Sequence, residues 1–128
     1  MNINDINPKK WHDIFGSDFL PKEIYFQLGQ LQSNQLKLSC KIEEKNIQFP
    51  QKIKTKRNVN TITFSIIFDK IRCIKISPLF SGFGEINIEK TDIIHSVISI
   101  ENNKSFDIES EHIQLSDIKM AYYDFENQ

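Results

Sequence analysis

Between residues 61 and 68, Ile62, Phe64, Ile66 and Phe68 alternate with Thr61, Thr63 and Ser65. Successive side chains of a strand point to opposite faces, so this pattern buries one face and leaves the other polar. A helix cannot gather those four apolar residues on one side, because its neighbours lie three and four positions apart. The same period recurs upstream, where Ile24, Phe26 and Leu28 alternate with Tyr25 and Gln27. Next, Leu36, Leu38, Cys40 and Ile42 alternate with Lys37, Ser39 and Lys41. Further strands are expected at 71–77, 85–89, 93–101, 105–109 and 112–122, about eight in all. Composition agrees, since the chain carries 22 Ile and 10 Phe but two Val and a single Ala, Ala121. β-Branched and aromatic residues suit a pleated, half-buried surface, and a helical chain would use more Ala and Leu.

The connections follow from turn chemistry. Ser33-Asn34-Gln35 reads as the turn of a first hairpin, and Gly29 as a kink or bulge in its leading strand. Residues 44–60, with Pro50, several Lys and little apolar period, read as a long loop that divides the sheet. Asp69-Lys70 is able to turn the chain, 78–84 reads as a loop, and Asn102-Asn103-Lys104 marks a tight turn. In 112–122, Ile113 and Leu115 have one parity and Ile118, Met120 and Tyr122 the other. A bulge near Ser116-Asp117 reconciles them. A helix with Leu115, Ile118, Tyr122 and Phe125 on one side and Ser116 as cap is the alternative; the alternation running into the segment favours the strand.

The N-terminal segment differs. Asn7 is a good N-cap, Pro8 takes the first helical position and Gly16 can end the helix in a left-handed conformation. Trp11, Ile14 and Phe15 share one face, and Ile6 and Trp11 have the spacing of a hydrophobic staple. About two turns of helix are not stable alone, so this helix is expected to plug something apolar. The sequence predicts one domain over 1–128: an all-β, mainly antiparallel sandwich or partly closed curved sheet with one short N-terminal helix.

Several function classes are set aside. A chain of 128 residues, 39% hydrophobic and 26% charged, suits a single core, and runs such as Ile66-Ile67-Phe68 are far too short to cross a bilayer. Residues 1–8 have no basic start and no apolar centre, so no secretory signal is read and a cytoplasmic location is expected. Cys40 and Cys73 form no Cys-x-x-Cys pair; both are expected as reduced thiols, with Cys40 packed in the core. His12, His95 and His112 stand at no metal-ligand spacing, so no metal is expected. Ser81-Gly82-Phe83-Gly84 lacks the Lys-Ser/Thr of a phosphate loop and opens no helix. Asp107, Glu109 and Glu111 alternate along one strand face as solvated carboxylates do, with no pocket in the sequence to raise one of them into an acid. The reading is of a protein that is not an enzyme and needs no cofactor.

Charge is separated along the chain. Residues 1–84 hold 13 Lys/Arg and 7 Asp/Glu, whereas residues 85–128 hold 3 and 10. Opposed patches on a folded surface speed and orient association with a partner. The acidic end suggests a contact surface of Glu101, Asp107, Glu109, Glu111 and Asp117, flanked by Tyr122 and Tyr123 as aromatic anchors. The basic stretch Lys52, Lys54, Lys56 and Arg57 is the alternative, able to meet phosphates in a small nucleic-acid-binding or adaptor module. Phe49 is its single stacking aromatic, so a protein partner is preferred to a nucleic acid.

Together the Trp11-His12-Asp13-Ile14-Phe15-Gly16 helix, the hairpin, the proline-containing loop, Asn60-Thr61-Ile62-Thr63-Phe64 and Phe68-Asp69-Lys70-Ile71-Arg72-Cys73-Ile74-Lys75-Ile76 form a pattern. Followed by a closing run of strands, it resembles the small bacterial immunity proteins encoded beside polymorphic or contact-dependent growth inhibition toxins, family fifty among them. The resemblance spans most of the chain. It implies a stoichiometric cytoplasmic inhibitor that binds a cognate toxin C-terminal domain one-to-one and has no catalytic residues of its own.

Overall fold

The computed structural model describes residues 2–16, 19–21, 23–44, 49–50, 53, 59–78 and 80–122. After a single 3-10 turn at Ile3–Asp5 come α1 (Pro8–Phe15), β1 (Ile24–Gln32), β2 (Gln35–Glu43), β3 (Thr61–Ile76), β4 (Ser81–Lys90), β5 (Ile94–Ile100) and β6 (Asn103–Ala121). All pairings are antiparallel, in the order β1-β2-β3-β6-β5-β4. β1 then returns to β4 through a short seam, from Ile24 opposite Gly84 to Gln27 opposite Ser81, which closes the sheet into a barrel. Closure matters because an open edge would present unpaired backbone groups to other chains.

Alternation decides what fills the barrel. Phe26, Leu36, Leu38, Ile42, Ile62, Ile66, Phe68, Ile98, Ile100, Phe106 and Ile108 are completely or almost completely buried on its inner side. Cys40 belongs to the same inner set, and burial pushes its thiol well above the ordinary range, so it packs as a small hydrophobe. Cys73 is exposed, and both thiols are free.

The strands number six among the described residues, fewer than the sequence suggests, because two of them are long. Residues 61–76 form one strand through Asp69-Lys70: Lys70 has a φ of 53°, yet Asp69 pairs with His112 and Ile71 with Ser110, so the chain kinks without reversing. Likewise 103–121 is one continuous strand, which excludes the helical alternative there. Its parity switches at the expected place. Thr63 faces Lys119 but Ser65 faces Ser116, an extra residue on β6, and Asp117 takes a φ of 55°. Gly29 is the corresponding extra residue between Leu28 and Gln30 in β1.

One turn and one loop are displaced from expectation. The β5–β6 reversal is made by Glu101 and Asn102, whose φ values of 53° and 66° suit a mirror-image hairpin turn, and Asn103 already pairs with Ile100. Residues 81–84 are strand, not loop. They form the β1–β4 seam, and a β-carbon on Gly84 would lie 1.9 Å from the Ser99 carbonyl oxygen, so glycine is what lets β4 approach β5 there. Phe83 consequently points outward, its ring 5.2 Å from that of Tyr25 and 36% exposed.

The helix is the expected plug. Pro8 opens it, and Gly16, with a φ of 87°, closes it by donating its N–H to the His12 carbonyl. Trp11 and Phe15 are buried, with rings 4.5 Å apart edge-on, and Trp11 meets the inward-facing Phe64 at 6.3 Å. The indole N–H donates to the Phe19 carbonyl at 2.9 Å, which satisfies the one polar atom the tryptophan brings inside. Asn7 does not cap the helix with its side chain; it is used elsewhere, across the fold.

Candidate functional site

The outer wall of the barrel sets acidic groups from the second part of the chain beside basic groups from the first: Lys75 faces Asp107, Arg72 meets Glu111 and Lys37 meets Asp117. Asp107, Glu109 and Glu111 alternate outward on β6. The register adds groups that the sequence did not join to them. Glu109 faces His95 on one side and Cys73 on the other, and His95 in turn faces Glu89 of β4. Asp107 faces Val97 and Lys75. The imidazole of His95 therefore stands in a field of carboxylates.

His95 Nε2 donates to Asp107 Oδ1 at 2.6 Å across a diagonal of the β5–β6 pair, since an ionised carboxylate can only accept. Lys104 Nζ lies 3.6 Å from the other Asp107 oxygen. The His95 hydrogen bond first, and the charges of His95 and Lys104 after it, hold the Asp107 carboxyl below the usual range. Arg72, the extra residue of a bulge in β3, reaches Glu111 Oε1 at 3.1 Å, and both side chains remain open to solvent. Such an exposed pair adds little stability and leaves both groups able to exchange partners.

The remaining anticipated contact residues do not gather there. Glu101 sits in the β5–β6 turn. Asp117 lies in the β6 bulge and pairs with Lys37 at 3.1 Å; that hydrogen bond holds its carboxyl below the usual range, with the charges of Lys37, Lys119 and Lys10 adding to it. Tyr122 follows the end of β6 and is 60% exposed. β6 has 19 residues, about 60 Å of strand at the usual rise, whereas one side of a standard interface spans roughly 30 Å. Glu101 and Tyr122 are thus at opposite ends of the barrel wall, and the compact part of the set is Asp107, Glu109 and Glu111. Tyr123 and the basic residues Lys52, Lys54, Lys56 and Arg57 lie outside the described residues.

Toward the other end of the wall, a cross-strand row runs Phe83, Tyr25, Lys41, Thr63, Lys119 over β4, β1, β2, β3 and β6. The row beside it is Ser81, Gln27, Ser39, Ser65, Ser116. Lys41 Nζ stands 5.1 Å from the Tyr25 ring centre and 3.0 Å from Glu43 Oε1. No sequence signal marked this surface, because it exists only once five strands are in register.

Among the described residues no group of three His, Cys, Asp or Glu side chains could hold a metal ion, and no helix is long and apolar enough to cross a membrane. No protein family, no curated protein and no solved structure matches this chain.

Proposed function

We propose that this protein is a stoichiometric inhibitor of the immunity-protein kind, binding a cognate bacterial toxin domain one-to-one in the cytoplasm and neutralising it without chemistry of its own. The observation that supports this best is the outward row Asp107, Glu109 and Glu111, widened by Glu89 and mounted on paired strands of a closed barrel. A rigid scaffold keeps the carboxylates in place before a partner arrives, so little ordering entropy is lost on binding. Their sign selects a basic partner surface, as on a toxin that itself binds nucleic acid. The resemblance of the helix and strand pattern to immunity proteins points the same way.

The test is co-expression with the C-terminal domain encoded by the upstream gene, reading growth and co-purification together. Restored growth with a one-to-one complex is expected. Continued toxicity with no complex would overturn the proposal and turn attention to nucleic acid as the partner.

A further inference from the structure

A depression of about 310 Å³ lies on the outer wall over β1, β2, β3 and β6, away from the carboxylate row, and its lining includes Gln27, Ser39, Thr63, Ser65 and Lys119. Its size is at the lower end for small-molecule sites. Ser65, also in the lining, is only 6% exposed as a residue, and its hydroxyl makes no hydrogen bond with any described residue. Facing the depression, that hydroxyl is free to donate to or accept from whatever occupies it.

The surroundings define what would fit. Lys119 lines the depression and makes no ion pair among the described residues, whereas Lys37 is engaged with Asp117 and Lys41 with Glu43. The Asp117 carboxylate lines the depression too, but Lys37 is paired with it and Lys10 acts on it, so Lys10, Lys37, Lys41 and Lys119 outnumber Asp117 and Glu43 there. An ammonium beside hydroxyls suits an oxyanion. The hydroxyls and the Gln27 amide can each donate and accept, which suits a ligand rich in hydroxyls. We propose that this depression is a binding site for a small phosphorylated polyol, with the phosphate on Lys119 and the Ser65 hydroxyl and the polyol on Gln27, Ser39 and Thr63. The site is independent of the carboxylate row and of the inhibitor reading.

Ribose 5-phosphate is a suitable probe, titrated into the full chain while backbone amide resonances are followed, with inorganic phosphate and ribose at matched ionic strength as controls. Saturable shifts clustered at Ser39, Thr63, Ser65 and Lys119 are expected, with weaker binding of phosphate and none of ribose. Lys119→Gln should weaken binding at least ~10-fold and Ser65→Ala about 5-fold, as befits a charged and a neutral hydrogen bond. Neither change removes a contact the fold uses, so both variants should give native spectra. Absence of saturation, an equal response to inorganic phosphate, or unchanged affinity in both variants would each overturn the proposal.

Discussion

The side-chain oxygen of Asn7 accepts a hydrogen bond from the backbone N–H of Leu115 at 2.9 Å, across 108 residues of sequence. β5 begins at Ile94, opposite Ser110, so beyond that point the β5-facing edge of β6 has no strand partner among the described residues. Asn7 occupies part of that edge. The helix therefore both fills the barrel through Trp11 and covers the place where its wall is incomplete. Replacing Asn7 by Ala leaves a partly buried strand amide unpaired and should lower unfolding free energy by about 1–3 kcal/mol. Urea denaturation would measure this, and Leu115 amide exchange should accelerate more than that of Ile108.

Gly84 should be the least replaceable of the glycines. Gly84→Ala places a methyl group against the Ser99 carbonyl and forces β4 away from β5, whereas a β-carbon on Gly16 meets nothing within 4 Å and adds only the strain of its left-handed φ of 87°. A loss of several kcal/mol is expected for Gly84→Ala and about 1–2 kcal/mol for Gly16→Ala. Thermal unfolding of the two variants side by side would check the order.

Ser96 is wholly buried, and its hydroxyl has no hydrogen-bond partner among the described residues. Ser96→Ala removes that unsatisfied group at almost constant volume. Stability should be unchanged or rise by up to ~1 kcal/mol, against the usual direction for a core substitution. A clear loss of stability in denaturant titration would show that the hydroxyl is hydrogen-bonded in solution.

The depressed carboxyl of Asp107 has a definite consequence for pH. Its folded form releases the proton more readily than the unfolded chain, so its contribution to stability is present above the ordinary carboxylate value of about 4 and is lost as pH falls through the lower folded value. Asp107→Asn should flatten that acid limb of the stability curve. Chemical denaturation at a series of pH values below about 5 would detect the change.

The strand faces were legible because period-two alternation survives in residues 24–28, 36–42 and 62–68. Both anticipated bulges were legible too: Gly29 lacks a side chain, and the apolar parity changes across Ser116-Asp117. The continuity of β3 was not, since Lys70 in a left-handed conformation reads locally like a reversal and only its pairing with β6 keeps it straight on. The seam at Ser81–Gly84 was hidden for a related reason, as glycines that mark a loop in sequence also permit close strand contact. Of the candidate surface, Asp107, Glu109 and Glu111 could be read from β6 alone. Their neighbours His95, Glu89 and Arg72 could not, because register across three strands decides who meets whom. The tether between Asn7 and Leu115 left no sequence signal of any kind.

The most direct test of the inhibitor reading is the association rate with the toxin domain for the variant carrying Asp107→Lys, Glu109→Lys and Glu111→Lys, followed by stopped flow from low to high salt. With the fold intact by circular dichroism, association should slow at least ~10-fold at low ionic strength and approach the unmodified rate as salt screens the surface. A rate unchanged by the three reversals at every salt concentration would contradict the carboxylate row as the contact surface.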